Sequence, residues 1–299
     1  MEELSGVIII NKSAGMTSHD VVGRVRRVFG TRRVGHTGTL DPMATGVLTV
    51  LVGRAAKAAE YLGADTKVYR AVMRLGVSTD TEDITGKVVS ECADIPCESR
   101  VKEAAESFVG KIMQVPPMYS ALKVNGKKLC DIARRGGTVE REAREIEIFS
   151  LECEKISERE YALEIRASAG TYIRTLCADI GRALGCGAAM ASLERRACGR
   201  FSIEDAHTLD EIEKIGQDGA AGLLIPVERL FEEYAAVTLP DFYARLAASG
   251  CEIYQSKIGT SFPVGERVRL YGKDGFFALG EVREYEGGSA IKAIKQFVI

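Results

Sequence analysis

Gly35-His36-Thr37-Gly38-Thr39-Leu40-Asp41-Pro42-Met43-Ala44-Thr45-Gly46, followed at once by Val47-Leu48-Thr49-Val50-Leu51-Val52, sets a polar, glycine-punctuated loop directly against a run apolar enough for a buried strand. The loop gathers a titratable histidine, hydroxyls, one acid and a proline. It contains no G-x-x-x-x-G-K-[ST] and no G-x-G-x-x-G pattern, which excludes the common phosphate cradles. Taken alone, Asp41-Pro42 reads as a turn, by the ordinary preferences of both residues.

Upstream, residues 7–10 form a short apolar run suited to a buried strand. Thr17-Ser18-His19-Asp20 then resembles a capping box, opening a helix whose apolar stripe is Val21, Val22, Val25, Val28 and Phe29 and whose C-cap is Gly30. A loop is expected over 31–46, a strand over 47–52 and a helix over 54–62. Segments 67–75, 86–90, 145–155 and 161–168 are strand-like, and a helix over 171–184 stops at Gly185. Strands and helices alternate without the regular order of a doubly wound sheet, so the expected class is α+β with a mixed, largely antiparallel sheet. Residues 117–144 interrupt that order with a basic excursion; an acidic helical stretch follows over 208–235. From Val237 the glycine spacing suggests a small β-rich unit. The expected division is therefore 1–235 and 236–299.

The chain has 299 residues, 46% of them hydrophobic, enough for one large domain and one small one with substantial cores. No segment approaches the roughly 18–20 apolar residues of a membrane span, and Met1-Glu2-Glu3 does not open a signal peptide, so a cytoplasmic protein is expected. The eight cysteines form no C-x-x-C pair and only three histidines could join them. Scattered reduced thiols, with no metal site, are the reading. Asn11-Lys12-Ser13 fits a glycosylation pattern that has no meaning without secretion.

The formal net charge of −2 argues against a uniformly basic nucleic-acid binder. Charge is concentrated instead: five arginines and no acid over 24–33, and seven bases against three acids over 123–144. Either cluster alone could be a solvated surface. Two of them near one polar loop point to phosphate contacts.

The loop from His36 to Gly46 is similar to the catalytic motif of the TruB family of tRNA pseudouridine synthases. The resemblance continues, in family order, through Asn11-Lys12-Ser13-Ala14-Gly15-Met16-Thr17-Ser18, Lys67-Val68-Tyr69-Arg70, Pro116-Pro117-Met118-Tyr119-Ser120-Ala121-Leu122-Lys123 and Gly170-Thr171-Tyr172-Ile173-Arg174-Thr175-Leu176. It covers nearly all of residues 5–200. It implies isomerisation of uridine 55 in the T stem-loop of tRNA to pseudouridine, with no cofactor, by a monomer. It also implies that Asp41 is the catalytic carboxylate paired with Arg174, that Tyr69, Tyr172, Arg174 and Leu193 form the uridine pocket, and that His36 enters the T loop where the uridine was. Residues 117–144 correspond to a thumb-like RNA-gripping insertion, which would set Lys123, Lys127, Lys128, Arg134 and Arg135, with Lys12, on the RNA backbone. Cys130 stands where an aromatic residue is expected. The C-terminal part is similar to a PUA domain on glycine and strand pattern.

The chemistry fits those residue types. The reaction breaks the C1′–N1 bond, turns the uracil and joins C5 to C1′, which requires no redox partner, phosphate donor or metal. The base must leave its stack, so an aromatic face such as Tyr69 is useful. A carboxylate can attack the sugar or the base, or take a proton from the sugar, and all three routes need it ionised. An unperturbed Asp with a pKa of ~3.9 is ionised at neutral pH, and Arg174 would oppose any rise caused by burial. Without the motif, Tyr69, Tyr172 and Leu193 would be ordinary core residues, Arg174 a surface arginine and His36 a turn residue. Two other functions share parts of this pattern: a non-catalytic RNA-binding or RNA-folding module, and the catalytic subunit of a guide-RNA-dependent pseudouridylation complex.

Overall fold

The computed structural model describes residues 4–62, 66–124 and 126–297. In β1 (Gly6–Lys12), Val7 and Ile9 face one side of the sheet, Ile8 and Ile10 the other, and all four are buried. A strand covered on both faces can be apolar without alternation, which is why the run reads as continuous. β2 (Val34–Thr37) lies within the segment expected to be a loop; its backbone pairs with the second half of β3 (Thr45–Val52). β3 pairs with β1 along its whole length, antiparallel.

β4 (Lys67–Leu75) shows the period-two pattern of a half-buried strand, with Tyr69, Ala71, Met73 and Leu75 inward. A small hairpin, β5 (Val77–Thr79) with β6 (Val88–Glu91), leads to β7 (Gly110–Gln114). Within the basic excursion, β8 (Lys123–Val124) and β9 (Lys127–Lys128) form a two-residue ladder. The long strands β10 (Arg144–Lys155), β11 (Glu160–Ala167) and β12 (Ala188–Cys198), with the short β13 (Phe201–Ser202), complete the central sheet. Its order is β1-β3-β12-β4-β11-β10-β7, with β2 on β3 and β13 on β12. Every pairing is antiparallel except β12 with β3. The expected α+β class with a mixed, largely antiparallel sheet is what is observed.

That parallel contact positions the polar loop. The edge of β3 away from β1 is shared, since β2 pairs with Thr49–Val52 while β12 pairs with Thr45 and Gly46. Residues 38–44 emerge at this changeover. Gly46 is needed there, because it has φ 97 and a Cβ would lie 2.2 Å from the Arg195 carbonyl oxygen.

One face of the sheet is covered by amphipathic helices. α1 (Ser18–Phe29) begins at a full capping box, Thr17 with Asp20, and ends at left-handed Gly30. α4 (Ile173–Leu184) packs on β12 and α2 (Glu98–Glu106) on β10 and α4, and Val21, Val25, Val101, Leu176 and Ile180 fill this core. The excursion's short helix α3 (Leu129–Ala133) is rooted by Leu129, 1% exposed. Cys130, in place of the expected aromatic residue, is half-buried.

The acidic stretch is not one helix. α5 (Leu209–Ala221) is interrupted at Gly216, whose φ of 70 and ψ of −174 are not helical. A 3₁₀ turn over Val227–Phe231 follows. Next comes a five-stranded sheet of β14 (Ala235–Thr238), β15 (Glu252–Tyr254), β16 (Arg267–Gly272), β17 (Gly275–Tyr285) and β18 (Gly288–Gln296), with α6 (Asp241–Ala248) and α7 (Gln255–Ile258). β14 begins one residue before the boundary expected at 235/236. Phe231, Leu279 and Phe297 pack with Val7, Ile9, Val47 and Leu51 on the second face of the central sheet, so the C-terminal unit shares a core with the N-terminal one. Among the described residues, no helix is long and apolar enough to cross a membrane.

Candidate active site

Asp41 is held through the residues on either side of it. The Ser18 hydroxyl, at the start of α1 and 2% exposed, donates to the Leu40 carbonyl at 3.1 Å and accepts from the Leu40 N–H at 2.9 Å. The Lys12 ammonium, at the end of β1, donates to the carbonyls of Ser13, Met16 and Pro42 at 3.0, 2.8 and 3.3 Å. Three donors meet three acceptors, so the side chain is satisfied although it is fully buried. This corrects the expectation for Lys12. Its charge is spent inside the protein on the loop's carbonyls and is not presented to RNA phosphates. Burial lowers its pKa to about 8, with the nearby Asp41 pulling in the opposite direction.

The Asp41 carboxylate is one-third exposed, and Arg174 grips its inner side. Nε donates to Oδ2 at 2.8 Å and Nη2 to Oδ1 at 3.2 Å, a two-point fork that fixes rotation as well as position. Arg174 is only 4% exposed and is itself fixed from behind. Nη1 donates to the Thr81 carbonyl at 2.9 Å and Nη2 to the Tyr119 carbonyl at 2.8 Å, while the buried Asp83 carboxylate lies 3.9 Å from Nη1.

The Asp83 side chain is anchored by the hydroxyls of Thr81 and Thr85 and by the Thr85 N–H. Between Thr81 and Asp83, Glu82 has φ 64, the one left-handed non-glycine among the described residues. That turn directs the neighbouring carbonyl and carboxylate to the same guanidinium. Glu82 accepts from the Thr175 hydroxyl at 2.5 Å; burial raises its pKa against the pull of that bond and of Arg174. None of Thr81, Glu82, Asp83 and Tyr119 was singled out from the sequence.

Tyr69 and Tyr172 lie within electrostatic reach of Asp41. Tyr69 and Leu193 face the same core from adjacent strands, paired across the ladder with Arg195 and Ala71 respectively. Tyr69 is 6% exposed, and burial pushes its phenol pKa up, with Arg195 opposing. Tyr172 precedes α4 and is also pushed up by burial. Both rings are therefore neutral aromatic surfaces beside an anion. Arg195, fully buried, donates to the carbonyls of Val47 at 2.7 Å and Gly38 at 3.0 Å, tying the start of the loop to β3.

His36 lies on β2, opposite Val50, at the head of the loop. Its Nδ1 is buried without a hydrogen-bond partner, and burial, aided by Arg195 and His19, lowers its pKa below the usual histidine value. A polar ring left unsatisfied at a loop mouth suits a residue that meets its partner only on binding. The proton NMR titration of His36, identified by its loss in His36→Asn, should have a midpoint below ~6.5. Because the folded value lies below the unfolded one, the native state loses stability as pH falls through the interval between them. A midpoint at or above the ordinary value would contradict this environment.

Lys123, Lys127, Lys128, Arg134 and Arg135 are exposed on the excursion. Lys123 is paired directly opposite Lys128 on the two-residue ladder, an unfavourable like-charge pair in the free protein. The arginine cluster at 24–33 is not a uniform basic patch. Arg24 is tied to Glu213 at 2.6 Å and to Asp210 at 2.7 Å, and Arg26 donates to the Val34 carbonyl.

The sequence matches the family profile of the TruB family pseudouridylate synthase N-terminal domain over residues 26–173. The tRNA pseudouridylate synthase B C-terminal domain profile follows directly, over residues 174–232. The chain belongs to the TruB family of pseudouridine synthases. It is 52% identical to the tRNA pseudouridine synthase B of Geotalea uraniireducens (strain Rf4), over 80% of this chain and 76% of that protein. It is 38% identical to that of Clostridium tetani (strain Massachusetts / E88), over 97% of this chain and all of the other. Among solved structures, a Cbf5-Nop10-Gar1 complex contains a chain that superposes with a TM-score of 0.73 at 27% identity, covering 98% of this chain and 85% of that one.

Proposed function

We propose that this chain isomerises uridine 55 in the T stem-loop of tRNA to pseudouridine, as a cytoplasmic monomer, with Asp41 as the catalytic carboxylate. The observation that carries this reading is the Arg174 fork on a part-exposed Asp41, beside the neutral aromatic surfaces of Tyr69 and Tyr172. The curated relatives bear the name tRNA pseudouridine synthase B. A flipped uridine would stack on Tyr69, with Tyr172 and Leu193 completing the pocket. Asp41 then either attacks C1′ or C6 or abstracts a sugar proton. In every route C1′–N1 breaks, C5–C1′ forms, C5 gives up its proton and N1 gains one, so the reaction balances without a co-reactant. His36 would take the place the uridine vacates, and the PUA-like C-terminal unit would add RNA contacts. The decisive experiment maps pseudouridine after incubation of the purified protein with unmodified tRNA transcript. One modified position in the T loop is the expected result. Modification that appears only when a guide RNA is supplied, or at no position, would overturn the reading.

The exposed bases of the arm should bear on affinity. Replacing Lys123, Lys127 and Lys128 with Gln should weaken tRNA binding and flatten its salt dependence by roughly two to three units, since each lost phosphate contact removes about 0.7–0.9 from the slope. An unchanged slope in a binding titration would place the arm off the backbone.

A further inference from the structure

Gln114 ends β7 two residues before Pro116, where the chain leaves the sheet for the thumb-like arm. It is 2% exposed, and its carboxamide is engaged at both ends. The Tyr172 N–H donates to Gln114 Oε1 at 2.9 Å, and Gln114 Nε2 donates to the Tyr172 carbonyl at 3.1 Å. The side chain thus imitates a neighbouring strand for one residue. That residue is the N-cap of α4, which has no side-chain cap of its own, and its carbonyl also accepts the first helical bond, from Leu176.

The Gln114 backbone pairs with Arg144, the residue at which the arm returns to the sheet. Arg141, also on the returning segment, donates to the Pro116 carbonyl at 2.9 Å. Arg174 lies two residues beyond Tyr172 and takes the Tyr119 carbonyl, on the arm's outgoing segment, as one of its four acceptors. Both roots of the arm and the first turn of α4 therefore meet at Gln114. If volume alone mattered, an apolar side chain would fill this buried place without the desolvation cost of an amide.

We propose that Gln114 is a positioning residue for the reaction: its paired amide holds Tyr172 and the first turn of α4, and through them the Arg174 fork on Asp41, in register with the roots of the RNA-gripping arm. The inference rests on the pseudouridine synthase reading. Gln114 touches neither Asp41 nor the expected uridine position, so it acts through Tyr172 and Arg174.

The test uses the full-length protein and unmodified tRNA transcript under single-turnover conditions. Gln114→Met keeps the length of the side chain and removes both bonds. Its rate constant should fall about tenfold to a hundredfold, the scale of a small displacement at a reacting centre, with tRNA affinity within about threefold of wild type. Added to Arg174→Lys, the same substitution should cost less than about twofold more, because both act through one fork. Should Gln114→Met not fold, Gln114→Glu keeps the acceptor for the Tyr172 N–H while losing the donor, and the same rate loss is expected. A folded variant within twofold of the wild-type rate, a loss confined to affinity, or losses that multiply in the double variant would each overturn the proposal. A wild-type protein that forms no pseudouridine would defeat the functional reading instead.

Discussion

Asp41→Asn should bind tRNA nearly as well as wild type and form almost no pseudouridine. The substitution keeps the shape of the loop, since Leu40 and Pro42 are held by Ser18 and Lys12 through backbone atoms that it does not touch. It removes the charge and the nucleophilic or basic oxygen, and a rate loss of at least ~10⁴ is the scale for deleting an essential catalytic group. The amide also disturbs the fork, because an Asn presents one acceptor where the carboxylate presented two. Arg174 is nearly out of reach of water, so the donor left over costs about 1–3 kcal/mol, although Thr81, Tyr119 and Asp83 still hold the guanidinium. Single-turnover pseudouridine formation, tRNA affinity and a thermal melt on one preparation check all three statements. More than about a tenth of the wild-type rate in a folded, tRNA-binding variant would remove Asp41 from the mechanism.

Arg174→Lys should slow the reaction about 10²–10³-fold while preserving the local charge, the scale of losing one preorganised donor at a catalytic centre. A guanidinium serves Asp41 at two points and reaches the carbonyls of Thr81 and Tyr119 at fixed angles; an ammonium with three donors on a flexible stem cannot reproduce that geometry. The positive charge remains near Asp83, which moderates the stability loss to about 1–3 kcal/mol in place of the larger cost of a bare buried carboxylate. The discriminating result is the rate: a Lys variant within tenfold of wild type would mean that charge alone suffices and that the fork is incidental. A large fall in affinity with an unchanged rate constant would move Arg174 from positioning Asp41 to gripping RNA.

Several of these elements could be read before any coordinates. Strands buried on both faces, such as β1 and β3, carry apolar runs without alternation, and β4 alternates cleanly. The capping box of α1 and the glycine stops of α1 and α4 are local signals and were legible as such. β2 was not, because in Val34-Gly35-His36-Thr37 two strand-favouring residues flank Gly35 and His36 over only four positions, and the segment is held as a strand by its pairing with β3. The acidic stretch was read too long because Gly216 breaks it by backbone conformation, and a glycine inside a helical pattern is weak evidence of that.

At the site, Asp41 and Arg174 were legible through the resemblance. The brace behind Arg174 was not, because it consists of backbone carbonyls at Thr81 and Tyr119, and every residue has a carbonyl. Lys12 is not legible for a different reason: lysines are so rarely fully buried that nothing in the sequence marks this one as an interior donor.

The second face of the central sheet has a consequence for how this enzyme can change. Leu279 and Phe297 of the C-terminal sheet fill the same cluster as Val7, Ile9, Val47 and Leu51, with the Phe231 ring edge-on to Tyr61 and tilted against Phe297. The strand into which the Asp41 loop runs is thus walled on its rear by residues from the far end of the chain. A C-terminal unit grafted from elsewhere would have to match that wall side chain by side chain, or β3 would face water and the loop would lose its footing. A polar substitution at Leu279 or Phe297 would therefore reach β1 and β3, whereas one on a surface of the tail that faces away from them would not.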